Sequence, residues 1–110
     1  MAKVTAVLAL LFSFSLGSVT LAQQSSGLTL RVREHRFEPR VLIAPANVPI
    51  ELHIQNVDST PMEFESVSLR VEKSIVGNGQ GIIRLRPLSP GRYNFFDDFH
   101  QETTGVLVVQ

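Results

Sequence analysis

Leu28, Leu30 and Val32 alternate with Thr29, Arg31 and Arg33, which is the period of a strand with one face buried. The alternation breaks over Glu34-His35-Arg36-Phe37-Glu38-Pro39, where Phe37 takes the opposite parity from Val32, so a bulge or turn is needed to restore the register. Val41-Leu42-Ile43 is a second apolar run, Pro45-Ala46-Asn47 is turn chemistry, and Ile50, Leu52 and Ile54 alternate again. These segments read as a hairpin turning at residues 45–47. Residues 55–61 form a polar loop ahead of Met62-Glu63-Phe64-Glu65-Ser66, and a glycine-rich turn at 77–81 separates a mixed stretch from Ile82-Ile83-Arg84-Leu85. Pro87, Pro90 and Gly91 mark a corner. Residues 93–109, YNFFDDFHQETTGVLVV, then read as strand, loop, strand, the loop carrying Asp97, Asp98 and His100 and the last strand resuming at Gly105. No capped helical run appears anywhere. The pattern predicts an all-β Greek-key sandwich of about seven strands.

The first 22 residues are expected to stand apart from that domain. Lys3 supplies a positive start, residues 4–16 an uncharged apolar core, and Thr20-Leu21-Ala22 the small residues that a signal peptidase inspects. This predicts a signal peptide over 1–22, a mature domain over 23–110 beginning at Gln23, and a periplasmic location. A retained membrane anchor is the competing reading, but Ser13, Ser15, Gly17 and Ser18 dilute the span below the roughly 20 apolar residues that crossing requires. The chain has no cysteine, which excludes a lipoprotein anchor and any disulfide. With 110 residues there is room for one domain. A formal net charge of zero and a pI near 6.8 leave no field to draw nucleic acid or a membrane surface.

Tyr93-Asn94-Phe95-Phe96, followed by Asp97, by His100 three residues on, and by a glycine leading into a Val-rich strand, resembles the C-terminal copper loop of cupredoxins. On that pattern Asp97 stands at the cysteine position, His100 at the second histidine and Thr103 near the methionine. Phe37-x-Pro39, Val41-x-Ile43 and Ile50-x-Leu52-x-Ile54-x-Asn56 also resemble the early strands of that family, and Met62 falls nearest its first histidine. The resemblance implies a cupredoxin fold whose thiolate site has been replaced, since blue-copper chemistry needs a cysteine. In such a topology, and with the open end of the 41–54 hairpin opposite its turn, His35, Met62, Glu63, Glu65, Asp97, Asp98, His100 and Glu102 come within reach of one another. Parity puts Met62 and Phe64 on one strand face and Glu63 and Glu65 on the other. His53 has outward parity and reads as an exposed strand residue.

Carboxylate and imidazole donors suit divalent first-row metals, so the expected metal is iron or copper, held by His100, Asp97, Glu63, Glu65, His35, Met62 and Asp98. The Arg-Glu-His-Arg-Phe-Glu-Pro opening, Met-Glu-Phe-Glu-Ser, Leu-x-Pro-Gly-x-Tyr-x-Phe-Phe and Asp-Asp-Phe-His together look like the small periplasmic cupredoxin-like proteins associated with bacterial ferrous-iron permeases. That likeness implies a metal-binding accessory of iron uptake whose partner is an inner-membrane iron permease or another periplasmic uptake component. An acidic residue stands at the position of Met62 in several relatives, so Glu63, Glu65, Asp97 and His100 carry over more directly than Met62. The other reading is a metal-free interaction domain that docks a partner through an acidic rim. No serine–histidine–aspartate spacing or phosphate loop points to a hydrolase.

Overall fold

The computed structural model describes residues 25–110 and, of the preceding segment, residues 2, 3, 5, 6 and 9–17. The expected cleavage point between Ala22 and Gln23 lies outside the described residues. Residues 9–17 take up no regular secondary structure, and their apolar side chains are exposed, Leu11 at 93% and Leu16 at 94%. Among the described residues no helix is long and apolar enough to cross a membrane.

The described residues fold into nine strands in two sheets. β1 (Ser26–Arg33), β2 (Arg36–Glu38), β4 (Ile50–Asn56) and β7 (Gln80–Leu85) form one sheet in the order β2-β1-β4-β7. β3 (Val41–Ala44), β5 (Met62–Ser66), β6 (Val71–Ile75), β8 (Gly91–Asp97) and β9 (His100–Val109) form the other, in the order β3-β9-β8-β5-β6. The expected break after Arg33 is a two-residue turn. Glu34 and His35 have φ of 50° and 56°, and Arg33 pairs with Arg36 across them. Positive φ at both central residues gives the backbone twist that a tight hairpin needs. The turn brings Phe37 opposite Val32, and both are buried.

The hairpin expected between residues 41 and 54 does not form. β3 pairs in parallel with β9 and β4 in parallel with β1, so the connection over residues 45–49 passes from one sheet to the other. Pro45 and Pro49 have no N–H to give to a ladder. Between them, Ala46 N–H donates to Gln110 O and Asn47 N–H to Leu88 O, which ties the crossover to β9 and to the β7–β8 link.

Alternating residues of both sheets meet in a single core. Leu30, Leu52, Ile54, Phe64, Phe95 and Leu107 are at most 2% exposed. Phe95 is its centre, stacked on Phe64 at 4.9 Å and edge-on to Phe37 at 5.0 Å. Gly105 faces Phe95 across the β8–β9 ladder, where an added Cβ would lie 2.4 Å from the Phe95 ring. Gly105→Ala should therefore force that ring aside and cost about 1–3 kcal/mol, read as a lower denaturant midpoint at unchanged slope.

Candidate metal centre

The Glu34–His35 turn, the loop after β4 and the β8–β9 turn all lie at one end of the sandwich. Asn56, buried at the end of β4, fixes the loop: its Nδ2 donates to Thr60 O at 2.8 Å and to Val76 O at 3.2 Å, while its Oδ1 accepts from Asp58 N–H at 3.2 Å. Asp58 in turn accepts from Glu34 N–H at 2.6 Å and from His35 N–H at 2.9 Å, so its carboxylate stabilises the two positive-φ residues. Thr103 Oγ1 donates to His35 O and closes the turn from the β9 side. His35 Nδ1 then faces Asp58 Oδ2 at 3.7 Å.

The β8–β9 turn has a corresponding anchor. Asp97 is fully buried; its Oδ1 accepts from Glu63 N–H and Phe99 N–H, both at 3.0 Å, and its Oδ2 lies 3.1 Å from His100 Nδ1. The ladder shifts register at Phe96/Asp97, and this irregularity turns Asp97 inward and Asp98 outward. The His35 and His100 rings stack, with centroids 3.9 Å apart and planes inclined by 27°. Their side chains are 46% and 27% exposed, and among the described residues neither Nε2 has a protein hydrogen bond. At His100, with the Asp97 carboxylate accepting from Nδ1–H, a neutral imidazole carries its lone pair on Nε2, whereas the 3.7 Å approach of His35 to Asp58 is longer than a hydrogen bond.

The expected ligand set therefore divides. His35 and His100 are brought together. Asp97 sits beside them, with both its oxygens engaged within the protein, closed to solvent, and one of them directed at His100 Nδ1. Met62 is 1% exposed and belongs to the hydrophobic core with Phe64, the inward face expected from parity. Glu63 and Glu65 take the opposite face of β5. They form a second group with Asp98, in which one oxygen from each of the three lies within 4.8 Å of the others. Glu72 lies across from Glu65, and Ser74 Oγ donates to Glu63 Oε2 at 3.2 Å. His53 is a half-buried strand residue on the face opposite Leu52 and Ile54, paired with Glu51 at 2.8 Å. Sequence reasoning missed Asp58, whose only signal was its place two residues after an asparagine in a polar loop, where the two side chains can build a turn.

The two groups differ electrostatically. Burial raises the Asp58 pKa, but the His35 and Glu34 N–H groups and the nearby imidazoles lower it further, so the net displacement is downward. Glu63 is displaced upward, first by its hydrogen bond with Glu72 and then by burial, and Glu65 upward by burial and by Asp98 and Glu63.

Residues 4–109 match the family described as the cupredoxin-like domain, and the chain belongs to that family. An uncharacterized protein of Rickettsia prowazekii is 40% identical over 81 residues, 73% of this chain, and the chain spans 65% of that relative's length. The fold is similar to the metal-binding domain of the Cu(I)-exporting P-type ATPase of Streptococcus pneumoniae, solved with Cu(I) (TM-score 0.73, 15% identity, 83% of this chain and 91% of that one). It is also similar to auracyanin B (TM-score 0.68, 16% identity, 84% and 93%) and to a purple cupredoxin from Nitrosopumilus maritimus (TM-score 0.57, 16% identity, 77% and 99%).

Two stability measurements test these electrostatics. Asp58→Ala should cost about 1–3 kcal/mol near neutral pH, because two backbone donors lose a charged acceptor. A carboxyl lowered by folding contributes above its unfolded value of 3.8 and loses that contribution as pH falls through the folded value, so the difference between wild type and variant should shrink in acid. Glu63 and Glu65 have the opposite sign. Each binds its proton more tightly in the folded chain, so each is a penalty near neutrality that is relieved as pH falls toward 4.5. Glu72→Gln replaces a like charge by a donor, and should raise the thermal midpoint near neutral pH and have little effect at pH 4.5.

Proposed function

We propose that this protein binds a divalent iron or copper ion outside the cytoplasm through Nε2 of His35 and His100, as an accessory of ferrous-iron uptake. The observation that carries the reading is the stacked imidazole pair in which His100 Nδ1 is hydrogen-bonded to the buried Asp97 carboxylate and His35 lies beside Asp58 at 3.7 Å. Metal-binding histidines characteristically present their second ring nitrogen to such a carboxylate, which fixes the tautomer and raises the basicity of the free nitrogen. Both rings are accessible to solvent, so an ion can be exchanged with a partner rather than sealed in the core. Nitrogen and oxygen donors without thiolate favour a divalent ion and leave out the blue-copper arrangement. The metal-binding domain of similar fold that was solved with Cu(I) supports metal binding by this fold. The permease partner and the iron role rest on the likeness of the short motifs over residues 30–109, and the export signal on the pattern of residues 1–22.

A second reading has its own observation. The carboxylates of Glu63, Glu65 and Asp98 crowd together, and no cationic side chain pairs with them among the described residues. This favours an acidic docking rim on a domain without a metal.

Calorimetric titration with Fe(II) and with Cu(II) separates the two readings. His35→Ala and His100→Ala should each abolish tight binding while the fold, followed by circular dichroism, persists. Asp97→Asn should weaken affinity roughly 10- to 100-fold, the range for a group that orients a ligand. The Cu(II)-loaded protein should show no intense thiolate charge-transfer band in the visible. Unchanged affinity in both folded histidine variants would move the ion to Glu63, Glu65 and Asp98, and no binding of either ion by the wild type would leave the docking-rim reading in its place.

A further inference from the structure

The outer face of the five-stranded sheet carries charges of both signs that find no partner in the single chain. Among the described residues, Arg40 and Arg92 form no ion pair with an acidic group, and Arg40 makes only a 3.3 Å hydrogen bond from Nη2 to Thr104 Oγ1. At the other side of the same face, the Glu63, Glu65 and Asp98 carboxylates lie against one another with Glu72 opposite Glu65. Apolar side chains stand exposed beside the arginines: Val41 is 49% and Ile43 59% exposed, in a strand whose other face is core. Val67, just past the end of β5, is 80% exposed.

We propose that this face is a self-association surface, on which a second copy of the chain packs about a two-fold axis running parallel to the strands between β8 and β9. The ladder register supplies the argument. The Arg40 guanidinium donates from Nη2 to Thr104 Oγ1 at 3.3 Å, Thr104 pairs with Phe96, and Phe96 pairs with Glu65, so the Arg40 side chain, Thr104, Phe96 and Glu65 lie along one row across the sheet. Strands are spaced about 4.8 Å apart, so an axis midway along that row sets Arg40 of one copy over Glu65 of the other, and Thr104 over Phe96, twice each. The next row holds Val41, Val106 and Asn94, at the edge of a groove of about 740 Å³ lined by Arg40, Val41, Arg92, Asn94, Phe96 and Val106, which the second copy covers.

The choice of occupant follows from the same rows. A basic partner would neutralise the carboxylates and leave the arginines facing it, and an acidic partner would do the reverse. A second copy pairs Arg40 with Glu65 in both directions at once and covers Val41 and Ile43. The rows contain neither His35 nor His100, so the proposal stands apart from the metal reading.

Sedimentation equilibrium of the mature chain in chelator tests it, with thermal melts confirming the fold of each variant. A monomer–dimer equilibrium that weakens as salt is added is expected. Arg40→Glu and Glu65→Arg should each weaken the dimer roughly 10- to 100-fold, by placing like charges together at two symmetric contacts. An equimolar mixture of the two variants should associate again, because a mixed dimer restores an opposite-charge pair at both contacts. Ile43→Lys should reduce association without being rescued by either. A monomer at every concentration, a dimer indifferent to both charge reversals, or a mixture that fails to associate would each overturn the proposal.

Discussion

The buried carboxylate of Asp97 is the constraint on which the site depends. A fully enclosed carboxyl group is tolerated only when its oxygens find hydrogen-bond partners, and here two backbone N–H groups and an imidazole supply them. One of those N–H groups belongs to Glu63 on β5, another to Phe99 in the turn, and the ring to His100 on β9. A single side chain thus locks the edge of one strand, the shape of the turn and the direction of a histidine. Asp98 N–H donating to Glu63 O at 2.8 Å closes the same junction from its other side.

Asp58 repeats the arrangement at lower burial. Its carboxylate holds a tight turn rather than a strand junction, and the left-handed backbone of Glu34 and His35 persists because both of their N–H groups point at it. Two independent turns, each fixed by an aspartate from a neighbouring segment, are therefore presented at one end of a rigid core centred on Phe95. The stacked histidines follow from the meeting of those turns. Of the three other carboxylates, Glu63 and Glu65 are placed by strand alternation and Asp98 by the register shift, and they receive single side-chain donors, Ser74 at Glu63 and Gln101 at Asp98.

The strand pattern was legible in the sequence because half-buried strands alternate, and Leu30, Ile54 and Phe64 fall on the core face that their parity assigns. The need for a turn after Arg33 was legible from the parity of Phe37. Which sheet each strand joins was not. Val41-Leu42-Ile43 next to Ile50-x-Leu52-x-Ile54 carries the same local signal whether the strands pair or cross between sheets, and the outcome rests on Pro45, Pro49 and distant acceptors at Leu88 and Gln110. The convergence of His35 with the Asp97–His100 loop emerged from the family topology although the hairpin assumed beside it does not exist. The different parts of Asp97 and Asp98 were hidden, because adjacent aspartates in a loop look alike until a register shift buries one of them.

The central claim is that the imidazoles, and not the outward carboxylates, hold the metal. X-ray absorption spectroscopy of the metal-loaded protein measures this directly, since imidazole rings give a distinctive outer-shell scattering pattern that carboxylates lack. The account predicts two imidazoles in the wild type and one in either His35→Ala or His100→Ala loaded at high metal concentration. An oxygen-only shell with no imidazole contribution would place the ion at Glu63, Glu65 and Asp98 and contradict it.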